Sequence, residues 1–228
     1  MFAAHNHAQH PVFNVVRRGL TALCSGAARC VYCEDSARDQ VEHYKPKDLY
    51  PEEVFRWENY VYACGPCNRL KGAKFAIFRS SDGRFSDVTR KAGEQVIPPV
   101  HGDPVLLHCR IEDPMHFLHL DLLGTFLFLP RPGLSARETR RADYTIDLLR
   151  LNMREELPVS REQAYQNFRA RVEEFKHKRD DGVLKSHLDR LRSNLERANH
   201  PTVWREMVRQ RNQIGELVTL FQNVPELI

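Results

Sequence analysis

Residues 30–33 read CVYC, residues 41–47 read VEHYKPK, and residues 57–72 read WENYVYACGPCNRLKG. Two Cys-x-x-Cys pairs, Cys30/Cys33 and Cys64/Cys67, bracket an acidic–histidine pair, Glu42-His43. Asn59 stands shortly before the second pair, and Asn68 and Lys71 follow it. A Cys-x-x-Cys turn aims two thiolates at one cation, and two such turns supply a tetrahedral Zn²⁺ site. Gly65-Pro66 inside the second pair favours that tight turn. Four sulfur ligands leave no coordination position open, so this zinc is structural rather than catalytic. The competing reading is four buried free cysteines. A thioredoxin-like redox role is weaker still, because neither pair follows a βαβ pattern.

Glu42, His43, Asn68 and Lys71 bring a second chemistry into the same stretch. Hydrolysing a phosphodiester takes a base for water, a cation at the phosphate and charge stabilisation in the transition state. Histidine titrates near neutral pH, and glutamate and asparagine oxygens suit Mg²⁺. Residues 40–44, QVEHY, alternate like a short strand. Neighbours on a strand point to opposite faces, so Glu42 and His43 share a site only from a strand end or a bend. Each residue alone has a plainer reading. Glu42-His43 reads as a surface pair, Asn59 and Asn68 as turn or cap residues, and Lys71 with Lys74 as a solvated face.

In combination and in this order, the residues resemble the HNH endonuclease family with its ββα-metal fold. That family carries an acidic–histidine pair between two cysteine knuckles, a central Asn, and a His or Asn directly after the last cysteine. Glu42 stands where Asp is commoner, and Asn68 where His is commoner; both offer a metal-binding oxygen. The resemblance implies that His43 is the general base and that Glu42 and Asn68 hold Mg²⁺ or Mn²⁺. It implies that Asn59 braces the loop orienting His43 and that Lys71 contacts phosphate, with Arg69, Lys45 and Lys47 as helpers.

The fold class expected is α+β: a zinc-clamped ββα-metal HNH core over residues 30–78, with a β-hairpin and a mostly helical C-terminal part. Residues 1–29 form a histidine-bearing tail (His5, His7, His10) and a helix over 13–29 that buries Cys24. Residues 79–134 hold loops, with Gly83, Pro98-Pro99 and Gly102 as breakers, and a hairpin from residues 115–122 and 125–129. His108, Cys109, His116 and His119 fit no zinc spacing and read as hairpin residues. Residues 135–228 form the helical region. Ser135–Glu138 is a capping box opening a helix to about Leu151, and Ser160–Gln163 another opening a helix to about Arg179. Leu184 to Leu195 marks a third helix, and Val203 to Leu220 a fourth.

Among the 228 residues, positions 1–130 carry 15 basic and 15 acidic side chains, and positions 131–228 carry 19 and 15. The net charge of +4 therefore lies in the helical region, which permits a polyanionic partner without requiring one. No run reaches the roughly 18 apolar residues of a membrane span, and no secretory leader pattern opens the chain, so the expectation is cytoplasmic. There is no GxxxxGK[ST] string for ATP. The larger layout, through IEDP, ADYTIDLLRLN and PTVWREMVRQ, resembles the HNH proteins of Septu and retron-associated anti-phage systems. That resemblance implies a nuclease, most simply acting on DNA, regulated by a separate SMC-like or ABC-like ATPase. Two alternatives stand beside it: a zinc-stabilised nucleic-acid-binding or adaptor module without catalysis, and an RNA-directed HNH nuclease.

Overall fold

Strand β1 (Gln40–His43) and strand β2 (Tyr60–Ala63) pair antiparallel, with Gln40 opposite Ala63 and His43 opposite Tyr60. The computed structural model describes residues 10–23, 29–91, 93–95 and 97–228. Alternation gives the ribbon two faces. Val41, Tyr60 and Tyr62 pack against Phe13, Val16 and Leu20 of helix α1 (Pro11–Ala22). Gly19 of α1 lies against the Trp57 indole, and a Cβ there would stand 2.9 Å from the ring. On the other face, Val61 and Ala63 join the main core. Helix α2 (Gly65–Lys71) follows β2 at once, with Cys64 as its N-cap residue and Pro66 in its first turn, where a missing N–H costs nothing. The strand–strand–helix order anticipated for residues 40–71 is present.

Three further sequence expectations need correction. The stretch read as loops around Gly83 and Gly102 also contains a three-stranded antiparallel sheet: β3 (Ala76–Arg79) lies between β4 (Phe85–Asp87) and β5 (Gly102–Pro104). Strands of three or four residues are too short to show a period, and their breakers Gly83 and Gly102 mark turns and edges instead. The Ser160 capping box is not a cap. Helix α4 (Glu156–Asp180) runs through it, starting four residues early, because Pro158 fits the first turn of a helix. The fourth helix is two, α6 (Pro201–Arg209) and α7 (Gly215–Gln222), separated where the Gln210 side chain donates to the Leu120 carbonyl.

Other elements follow their local signals. β6 (Leu118–Leu120) and β7 (Phe128–Pro130) make the hairpin, its connection held by Asp121, which accepts from the Leu123 and Thr125 amides. Helix α3 (Ala136–Leu148) opens on a complete Ser135–Glu138 capping box, and α5 spans Lys185–Glu196. α1 ends at Ala22, short of the expected boundary; Cys24, His5 and His7 lie outside the described residues. One continuous buried cluster joins Cys30, Cys33, Cys64 and Cys67 to Leu120, Phe128, Leu149, Leu157, Phe168 and Met207. The cysteine clamp is thus part of the core shared with the helical region. No helix among the described residues is long and apolar enough to cross a membrane.

Candidate functional site

The first knuckle is shaped by backbone bonds: the Glu34 amide donates to the Cys30 carbonyl, and the Cys30 amide to the Ser36 carbonyl. Glu34 takes a left-handed conformation, φ 59°, to close the turn. The Val31 amide donates to the Tyr62 carbonyl, which ties this knuckle to β2, from whose end the second knuckle grows. The result brings all four buried Sγ atoms within 4.8 Å of one another. Cys33 Sγ and Cys64 Sγ are 3.8 Å apart. A tetrahedron with Zn–S bonds of about 2.3 Å has sulfur–sulfur edges of about 3.8 Å. The donor set therefore fits zinc in kind, number and spacing, and the four cysteines are not paired as disulfides. Cys109 stays apart, half-buried beside the Leu107 carbonyl, its thiol pushed up to about 12 by burial. Among the described residues these four cysteines are the one cluster of three or more His, Cys, Asp or Glu side chains placed to share a metal ion. His108, His116 and His119 go to separate partners: the Glu58 carbonyl, Asp113 and Glu206.

Helix α2 carries Asn68 and Lys71 to the β1 face that holds Gln40 and Glu42. Asn68 Nδ2 donates to Gln40 Oε1 at 2.5 Å. Lys71 is completely buried; its Nζ donates to Glu42 Oε1 at 2.9 Å and to the His43 carbonyl at 2.6 Å. Burial pushes the Glu42 carboxyl up despite the opposing charge of Lys71, and burial pushes the Lys71 ammonium down despite Glu42. The sequence reading put Lys71 at a phosphate; the structure turns its ammonium inward onto Glu42. Lys47 and Arg69 are exposed, and Lys45 is paired with Glu53 at 3.2 Å.

His43 ends β1 on the opposite face. Its Nε2 lies 3.0 Å from the Val54 carbonyl and its ring meets Tyr60 edge-on at 5.4 Å. A carbonyl only accepts, so Nε2 carries the proton and the neutral ring keeps its lone pair on Nδ1. Burial, with Lys47 and Lys71 nearby, lowers the His43 pKa despite the Val54 bond, favouring the neutral ring. Asn59 stitches the loop that supplies this carbonyl. Its Nδ2 donates to the Glu53 carbonyl at 3.0 Å and the Lys45 carbonyl at 3.1 Å, and its Oδ1 accepts from the Lys45 amide at 2.7 Å. Sequence reasoning did not single out Gln40, although its position two residues before Glu42 puts it on the same strand face. Nor did it find Arg154, whose Nη1 donates to Cys67 Sγ at 3.3 Å. A residue so distant in sequence leaves no local pattern.

No protein-family model matches this chain. Over 49 residues it is 45% identical to the Septu protein PtuB of Bacillus thuringiensis, a segment amounting to 19% of this chain and 19% of that protein. The chain thus matches about a fifth of that relative's length.

Proposed function

We propose that this chain is a metal-dependent HNH-type endonuclease that hydrolyses nucleic-acid phosphodiesters, with DNA as the principal substrate. The observation that supports it best is the Nε2–Val54 carbonyl contact that orients His43 at the end of β1, with Glu42 next to it on the other face of the same strand and Asn68 on the helix packed against that face. His43 accepts the proton of water at Nδ1, while the Val54 carbonyl holds its other nitrogen. Asn59 keeps the Lys45–Glu53 loop, and through it the imidazole, in place. Glu42 and Asn68 would hold Mg²⁺ or Mn²⁺, which supplies charge stabilisation at the scissile phosphate. Lys71 presents the Glu42 carboxylate rather than touching substrate. Cys30, Cys33, Cys64 and Cys67 would hold a structural zinc that keeps knuckle, strand and helix together.

The similarity to a Septu protein supports a place in anti-phage defence; to this we add, as part of the proposal, a separate SMC-like or ABC-like ATPase as regulator and the cytoplasm as compartment. One observation favours a second reading, a zinc-stabilised nucleic-acid-binding module without cleavage: Glu42 already has a buried cation as its partner. Plasmid DNA and total RNA incubated with wild type and His43→Ala, with and without Mg²⁺ and with the ATPase present, separate these readings. The nuclease reading expects Mg²⁺-dependent cutting of DNA by wild type and a loss of at least about 100-fold in His43→Ala, the scale of a general base. DNA binding without metal-dependent cutting in any arm establishes the second reading instead, and cutting confined to RNA corrects the substrate.

A further inference from the structure

The guanidinium of Arg154 reaches the cysteine cluster from the turn between α3 and α4. Its Nη1 donates to Cys67 Sγ at 3.3 Å and its Nε to Glu156 Oε1 at 3.0 Å, while Nη2 is buried without a hydrogen-bond partner. The Arg154 side chain is only 11% exposed. Four thiolates around Zn²⁺ carry a net charge of about −2, which is costly to bury without cations beside it. Uncharged thiols offer a guanidinium little, and a buried arginine there would be poorly compensated. A second guanidinium, Arg161, is 1% exposed and donates to two carbonyls, those of Phe126 and Leu151; burial lowers its pKa, opposed by the charges of Glu34 and Cys33. Arg154 lies in the turn that connects α3 to the long helix α4, and Arg161 lies in the second turn of α4 itself; of the two, Arg154 is the one bonded to a sulfur.

We propose that Arg154 is a positioning residue of the metal centre, whose N–H···S bond to Cys67 stabilises the metal-bound thiolates and makes the seating of the 150–156 turn conditional on the loaded clamp. Metal binding and docking of that turn then reinforce each other, because coupling between two events is reciprocal. Cys67 lies beside Asn68 on α2, so the same bond sets the helix that carries a candidate metal-binding oxygen of the active site. The inference rests on reading the four cysteines as a zinc site.

The test uses the full-length chain. Metal content comes first: about one zinc per wild-type chain supports the zinc reading, and a folded wild type without zinc overturns it and the inference together. Zinc transfer to a chromogenic chelator is then timed for wild type, Arg154→Gln, Arg154→Lys and, as a control, Arg190→Gln at an exposed site. Arg154→Gln is expected to release zinc about 10-fold faster or more, the scale of outer-shell substitutions, with Arg154→Lys in between and Arg190→Gln unchanged. Unchanged release in a folded, zinc-loaded Arg154→Gln overturns the role of Arg154 while leaving the zinc reading intact. Hydrogen exchange on the wild type supplies the second readout, independent of any variant's folding. Chelation is expected to deprotect residues 150–156 along with the knuckles, and protection of that turn unchanged by zinc removal overturns the coupling.

Discussion

Lys71 shows how one buried charge can be read two ways. At the surface it would meet phosphate; fully buried, it is half of an ion pair with Glu42 and also donates to the His43 carbonyl. Removing one partner of a buried pair leaves the other uncompensated and costs about 3–5 kcal/mol, whereas removing both is far cheaper. Lys71→Met is therefore expected to lower urea-unfolding stability by about that amount, and Lys71→Met with Glu42→Gln to recover a large part of it. If Lys71→Met kept wild-type stability and lost only cleavage, the ammonium would belong to the substrate and not to Glu42. His43 and Asn59 sit on the legible side of the same stretch. A histidine at a strand end and an asparagine able to bind three backbone groups are visible in the sequence; that they meet through the Glu53–Val54 carbonyls is visible only in the fold.

Among elements, α3 is the best signposted and its tertiary tie the least. The Ser135–Glu138 box announced where the helix starts, because a cap is a bond between near neighbours. Nothing local announced that Arg141, on this helix, would clasp Glu112 through two bonds of 2.6 and 2.8 Å, or that Glu112 would also accept from the His108 amide. The same blindness hid β3–β5, whose pairing is set by partners outside each short run. Burial alone would raise the Glu112 pKa, but the Arg141 bonds and the His108 amide outweigh it and hold the carboxyl below its ordinary value. A carboxyl depressed in the folded state adds stability above its unfolded pKa, and that contribution fades as pH falls through the folded value. Glu112→Gln should accordingly be about 1–3 kcal/mol less stable than wild type at pH 7. The gap should shrink towards pH 3. Thermal melts of both proteins across that range decide it, since acid effects on the cysteines are common to both; a gap that stays constant with pH would show the ion pair to be inert.

At the scale of the molecule, the cysteines are not an appendage of the strand–strand–helix unit. Cys30, Cys33, Cys64 and Cys67 are buried in the same cluster as Leu149 and Leu157 at the α3–α4 junction, Phe168 of α4 and Met207 of α6. Knuckle spacing made the ligands legible, because both cysteines of a pair lie in one turn. Their place between the two halves was not, because it depends on residues more than a hundred positions away. The first knuckle is tied to the start of α6, with Glu34 accepting from the Thr202 amide and hydroxyl. Metal removal should therefore act on the whole chain and not on residues 30–71 alone. Without a cation the four sulfurs lose the ion that holds them together, and a structural site of this kind contributes its binding free energy to folding. Chelation of the purified protein is expected to lower the melting temperature in one cooperative transition and to disturb the tertiary signal of Trp204, which packs on Phe168 and Phe221 in the helical half. Near-ultraviolet circular dichroism and calorimetry before and after chelation, followed by zinc readdition, provide the measurement. If the Trp204 environment and the main transition survived while only the knuckles loosened, the helices would fold independently of the clamp. Restoration of a single transition by Zn²⁺ would instead mark the cluster as the joint on which both halves depend.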